Sequence, residues 1–198
     1  MKTFKLLFLI GIVCSLLSGC NKDEVIPDNE ELLKSAQPGT VTLPFEANFL
    51  GTYVEESYYG DENYACELPY YCHVIVDFVG TATHLGKITG TFDFCACGPD
   101  SPDIPGLDWE YAPTVVAMEA ANGDVLFISC SGNVIDGRAD DQPEYVVSHW
   151  RDEFVIIGGT GRFEGASGGG MSDDYNTSVD SNSHHHWTGK IILVKGNR

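Results

Sequence analysis

Five cysteines, Cys66, Cys72, Cys95, Cys97 and Cys130, lie in the body of the chain. Thiols in such numbers can cross-link, hold a metal or act as nucleophiles. The repeated C-x-x-C pairs of a zinc site are missing, and none of the five sits in a histidine-paired nucleophile motif, so cross-linking is the chemistry left. An odd count leaves at least one thiol unpaired. If segments 72–83 and 87–97 form a hairpin, residue 72 comes opposite roughly residue 97, within the roughly 4.4–6.8 Å Cα separation a bridge needs. The expectation is bridges from the Cys66 and Cys72 side to Cys95 and Cys97, with a local Cys66–Cys72 loop as the alternative. Cys130 shares parity with Leu126 and Ile128, which predicts a buried free thiol.

The histidines are the second group. His184-His185-His186 follows Asp173, Asp174 and Asp180. In a strand, His184 and His186 share a face and can hold Zn²⁺, Cu²⁺ or Ni²⁺ together with a carboxylate or His149. Two side chains do not complete a tetrahedral shell, so a solvated tract is the preferred reading and no cofactor is expected. His185 has the parity of Trp187, Ile191 and Leu193 and is expected to face inward. His84 lies in a turn, where an imidazole bonded to nearby backbone is favoured over a ligand contact. Asp100, Asp103 and Asp108 have the oxygens that Ca²⁺ takes but not EF-hand spacing, which leaves an acidic surface loop. Trp109, Tyr111, Tyr70 and Tyr71 can form a sugar- or lipid-facing platform, although aromatics closing one end of the fold are preferred. No G-x-S-x-G elbow, H-E-x-x-H helix or P-loop is present, which weakens enzyme readings and leaves catalysis open.

Strands must position these groups. Phe45, Ala47, Phe49 and Tyr53 alternate with Glu46 and Asn48, as in a half-buried antiparallel strand. Val74, Val76 and Phe78 repeat the pattern before His84-Leu85-Gly86, and Ile88, Phe92 and Phe94 continue it beyond. Val116, Met118 and Ala120 lead into Asn122-Gly123, the preferred centre of a type I′ hairpin turn, and Val125–Ser131 returns. A further strand pair surrounds Gly158–Ala166, and the last strand runs from about His185 to Val194. Many strands, short glycine turns and no helix-period segments predict an all-β domain, a sandwich or a closed antiparallel barrel.

Gly80-Thr81-Ala82-Thr83-His84-Leu85-Gly86-Lys87 and the run Gly159 to Gly168, with Gly161 and Gly165, resemble the glycine-punctuated motifs of the allene oxide cyclase barrel-like superfamily, which includes the dirigent proteins. The resemblance spans roughly residues 43 to 195, and its motifs are structural. It implies a single closed barrel of about eight antiparallel strands, calycin-like, with a small central cavity and frequent trimers. Two segments depart from it, the tyrosine-rich acidic stretch 55–72 and the Pro/Asp loop 98–113. The family's catalytic residues find no counterparts, so none is carried over.

The N-terminus reads differently. Lys2 and Lys5 precede an apolar run, Leu6 to Leu17, that is shorter than the roughly 20 residues a spanning helix needs. It ends in Leu17-Ser18-Gly19-Cys20, which resembles the bacterial lipobox. The expected organisation is therefore a cleaved signal peptide at 1–19, a lipidated linker at 20–40 and the barrel domain at 41–198, with acylated Cys20 as a palmitate-bearing membrane anchor. Asn21-Lys22-Asp23-Glu24 is similar to the export tag of Bacteroidetes-type outer-membrane lipoproteins, or else is a polar tether. The location implied is the cell envelope, lipid-anchored in the outer membrane, on the periplasmic or the outer face.

Cleavage removes two of the 11 basic residues and none of the 29 acidic ones. So acidic a surface repels phosphate backbones, which excludes nucleic-acid partners. Three functions remain: an envelope carrier of a small apolar ligand, an isomerase or cyclase acting on a lipid or phenolic intermediate, and a surface scaffold. An inward-facing polar group beside a cavity is the mark of the second.

Overall fold

The computed structural model describes residues 39–98 and 109–197. The expected signal peptide, Cys20, the linker up to residue 38 and Asp100, Asp103 and Asp108 fall outside them. The described chain is all-β, with strands β1 (Thr40–Tyr58), β2 (Cys72–Ala82), β3 (Gly86–Cys97), β4 (Trp109–Ala120), β5 (Val125–Asp136), β6 (Val146–Trp150), β7 (Glu153–Gly159), β8 (Ser167–Thr177) and β9 (Asn182–Val194). A single 3₁₀ turn at Gly161–Phe163 is the only helical element among the described residues.

Every strand pairing is antiparallel, and the sheet closes on itself. The first strand pairs with both β2 and β9, from Ala47↔Ala82 to Tyr58↔Cys72 on one edge and Thr40↔Val194 to Thr52↔Asn182 on the other. β4 pairs with β3 and β5. β6 and β7 both lie between β5 and β8, β6 along their C-terminal ends and β7 along their N-terminal parts. They form one stave broken at Arg151-Asp152, so nine strands make an eight-stave barrel. Closure removes the two free edge strands that an open sheet of this length would expose.

The two ends of the barrel differ. One is packed solid: Phe45, Ile88, Met118, Leu126, Phe163 and Ile191 are each 2% exposed or less. Burial of one such side chain contributes about 1.5–3 kcal/mol. The turns here rely on left-handed backbone. His84 (φ +68°) and Gly86 (φ +75°) connect β2 to β3, and at Gly161 (φ +56°) an added Cβ would overlap the Asp124 carboxylate. That carboxylate accepts a hydrogen bond from Arg162 Nε at 2.7 Å, pinning the 3₁₀ turn to the β4–β5 hairpin.

The opposite end gathers the C-terminal parts of β1, β3, β5 and β8, the N-terminal parts of β2, β4 and β9, and β6. The segment between β1 and β2 folds over this end's outer wall. There Cys66 is joined to Cys95 of β3. Cys72 and Cys97, expected among the bridging cysteines, are instead free and buried, as is Cys130. Register explains this for Cys72, which pairs with Ala96 rather than Cys97, so it shares Ala96's face and points away from the face that carries Cys95 and Cys97. With Cys66 bonded to Cys95, Cys97 has no thiol left on its own face among the described residues.

Candidate functional site

The open end holds two adjoining chambers that share Tyr53, Phe94, Tyr111 and Val134 as a common wall. The inner one, about 70 Å³, reaches down to Val76, Phe92, Cys130, Trp150 and Trp187. The outer, about 280 Å³, opens past Tyr58, Trp109, Glu56, Glu110 and Asp136. Its floor is apolar, with Val74 and Ala96, and its rim is acidic and aromatic.

Polar groups enter the inner chamber from β8 and β9. The row Phe49, His185, Asp174, Trp150 crosses β1, β9, β8 and β6 through direct register partners, so all four side chains face the lumen. Asp174 is 1% exposed. Its carboxylate accepts hydrogen bonds from Trp187 Nε1, at 2.9 and 3.1 Å, and from the His186 backbone N–H, at 3.2 Å. His185 stacks on Phe49, with ring centroids 4.5 Å apart and planes 8° from parallel. Its Nε2 lies 2.8 Å from Ser183 Oγ. Its Nδ1 lies 3.1 Å from Asp174 Oδ2, within ion-pair reach, yet off the angle a hydrogen bond requires, so this buried nitrogen has no hydrogen bond.

A second carboxylate stands behind the wall. Tyr111 Oη donates to Asp152 Oδ2 at 2.8 Å, and the backbone N–H of Asp152 donates to Ser172 Oγ. Burial pushes the Asp152 carboxyl above its ordinary value, and the nearby Asp174 charge adds to the shift. Burial likewise pushes the Tyr111 phenol far up, so it remains a donor at every accessible pH. The Cys130 thiol, buried and facing both carboxylates, is pushed up to about 12, which removes it as a nucleophile. At the mouth, burial raises the Tyr53 phenol, which donates to Asn176 Oδ1 at 3.4 Å.

The remaining residues singled out from the sequence lie elsewhere. His184 and His186 are on the outer face and do not converge. His184 stacks on Tyr175 and pairs with Asp180 at 3.1 Å, while His186 Nε2 sits 3.4 Å from Glu46 Oε1. Among the described residues no three histidine, cysteine or acidic side chains cluster as a metal shell would require. His84 Nε2 donates to the Pro44 carbonyl at 2.9 Å and ties the β2–β3 turn to β1. Gly86, Gly159, Gly161 and Gly165 all belong to the closed end, far along the strands from the chambers. Trp109 and Tyr111 do reach the open end, but Tyr71 packs outside it against Tyr58 and Tyr59.

Sequence reasoning anticipated that His185 would point inward and put Tyr53 on the inner face of the first strand, but attached no role to Asp174 in the lumen or to Asp152 behind its wall. β8 reads SGGGMSDDYNT, with no apolar alternation to mark its inner face. Only pairing with β9 decides that Asp174 rather than Asp173 enters the lumen.

Against solved structures, the pterocarpan synthase dirigent protein GePTS1 superposes with a TM-score of 0.51 at 14% identity, covering 79% of this chain and 91% of that one. The fold is that of the dirigent proteins. The pterocarpan synthase dirigent protein PsPTS1 aligns at the same 14% identity and a TM-score of 0.44, over 81% of this chain and 99% of its own. Comparison with protein-family models and with curated proteins finds no match. At 14% identity the likeness to GePTS1 is one of fold.

Proposed function

We propose that this dirigent-type barrel binds a small organic molecule with an apolar body in its open half, and that acylated Cys20 holds it at the cell envelope. The observation that carries the reading is the asymmetry of the lumen. One half is filled with buried side chains, while the other keeps about 70 and about 280 Å³ free behind aromatic walls. Space left in an otherwise well-packed interior, apolar and with a few convergent polar groups, is the usual form of a ligand site. Tryptophan fluorescence and thermal shift against a panel of small aromatic compounds test it, with Val134→Trp as the blocking variant. The expected result is saturable binding that Val134→Trp abolishes while the melting temperature of the free protein holds. Binding that survives the block, or no binding by any compound, sinks the reading.

A second reading, proton-transfer catalysis of the isomerase or cyclase type, is favoured by Asp174 and His185. A desolvated carboxylate fixed by two N–H donors, beside an imidazole nitrogen that lacks a hydrogen bond, can pass a proton to or from a ligand in a dry chamber. For any ligand that binds, hydrogen exchange between its C–H positions and D₂O is the measurement. Exchange that is present in the native protein and lost in Asp174→Asn, with binding retained, supports catalysis. Equal exchange in both proteins removes it.

A further inference from the structure

We infer that the open end selects an organic cation, an amine or quaternary ammonium carried on an apolar body. The inference rests on the binding reading above and adds the ligand's charge.

The outer chamber carries Glu56, Glu110 and Asp136 at its rim, and the inner chamber carries Asp174. No lysine or arginine is among the residues that line either chamber. Among the described residues, none of the three rim acids forms a salt bridge; the arginine ion pairs, Arg151 with Asp141 and Asp173 and Arg162 with Asp124, lie away from the lining. Between the rim acids stand Tyr53, Tyr58, Trp109 and Tyr111, whose ring faces carry the negative quadrupole that attracts ammonium groups. Acids alone on a surface would be ordinary for a chain of net charge −18. Here they surround a cavity. At the base of the inner chamber stands His185, 9% exposed, whose Nε2 meets Ser183 Oγ and whose Nδ1 lies 3.1 Å from Asp174 without a hydrogen bond.

A single imidazole, His185, stands against four lining carboxylates. The low-dielectric walls focus their field into the mouth. An anionic ligand meets repulsion at every depth, and a neutral one leaves the field uncompensated. A cation is attracted first by the rim, then by the aromatic faces, while its apolar body replaces water against Val74, Phe94 and Val134.

Choline, its uncharged carbon isostere 3,3-dimethylbutan-1-ol and the anion 3,3-dimethylbutanoate make a shape-matched series for testing charge alone. Each is titrated into the full-length protein at low ionic strength, with tryptophan fluorescence as readout. Choline should bind at least tenfold more tightly than the alcohol, the anion more weakly than either, and the choline preference should fall as salt is raised. The triple variant Glu56→Gln, Glu110→Gln, Asp136→Asn should lose most of that preference and bind the alcohol unchanged. A melting temperature measured alongside establishes that it is folded, and the single reversal Glu56→Lys, which should weaken choline binding in the same direction, replaces it if it is not. Equal affinity for choline and the alcohol, or a preference that survives these variants, overturns the inference and leaves the binding reading intact. Failure of all three probes in a protein that binds the aromatic panel overturns this inference alone. Failure of the panel as well removes both.

Discussion

Two carboxylates, one in the lumen and one behind its wall, behave differently because their partners differ. Asp174 accepts from Trp187 and the His186 backbone, so its oxygens are satisfied despite deep burial. Asp152 is half-buried, and burial pushes its carboxyl above the ordinary value of 3.8. A raised native pKa means that the fold favours the neutral acid. Its contribution to stability is therefore complete below the unfolded value and declines as pH rises through the native one. Urea melts of the wild type and Asp152→Asn at stepped pH should show the wild type losing ground to the variant as pH increases from about 3.5. A difference of the opposite slope would sink this account. The thiols follow the same logic: burial pushes Cys72 up to about 11 and Cys130 up to about 12. Both should resist iodoacetamide at pH 8 in the native protein and react once it is unfolded, as peptide mass spectrometry would read. Rapid native labelling of Cys130 would contradict its placement in the lumen.

Among the elements, β3 and the segment ahead of β2 depend on one covalent tie. The Cys66–Cys95 bridge spans 29 residues and holds the tyrosine-rich segment against the open end. Closing a loop of that length is worth about 3–4 kcal/mol in the chain-entropy picture. Replacing both cysteines by serine should lower the unfolding free energy by up to that amount. It should also raise hydrogen exchange in residues 59–71 before it does so in β1 or β9, because those strands are held along both edges. Uniform exchange across the barrel would mean that the bridge stabilises the whole rather than this segment. The break between β6 and β7 is a second such device. Arg151 reaches Asp141 and Asp173, both at 2.8 Å, bracing the point where the stave is interrupted and Asp152 turns toward Tyr111.

For the whole molecule, net charge is the dominant global property. A formal charge of −18 on the full chain, most of its acids in the barrel, brings many like charges within a Debye length of each other at low salt. The melting temperature should rise as sodium chloride increases from about 0.01 M to 0.5 M, since screening shrinks the interaction range from about 30 Å to a few ångström. A melting temperature that falls over that range would mean that specific ion pairs outweigh self-repulsion. The same field at the open end sets the expected salt dependence of cation binding, so the two measurements vary one quantity in opposite directions.

The closed half of the barrel was legible because its information is local. Period-two alternation in β1 to β5, the Asn122-Gly123 turn and the glycine-rich run near β8 each report on a few neighbouring residues, and a strand is observed at each; β6 was not foreseen, and β1 and β4 extend into the segments 55–72 and 98–113 that were read as insertions. β9 was placed from His185 onward, but it begins at Asn182 because Thr52 of β1 is there to pair with it. The open half was not legible, since its features arise between strands distant in sequence. Cys66 bonds Cys95, one of the pairings expected, but Cys72 and Cys97 stay free because register puts Cys72 inside, and a polar strand without hydrophobic rhythm delivers Asp174 to the lumen. Residue types and their spacing determine that this chain makes antiparallel strands with one oily face. Which acids, rings and thiols share the enclosed space depends on register and closure, because a shift of one residue in pairing exchanges the inside of a strand for its outside.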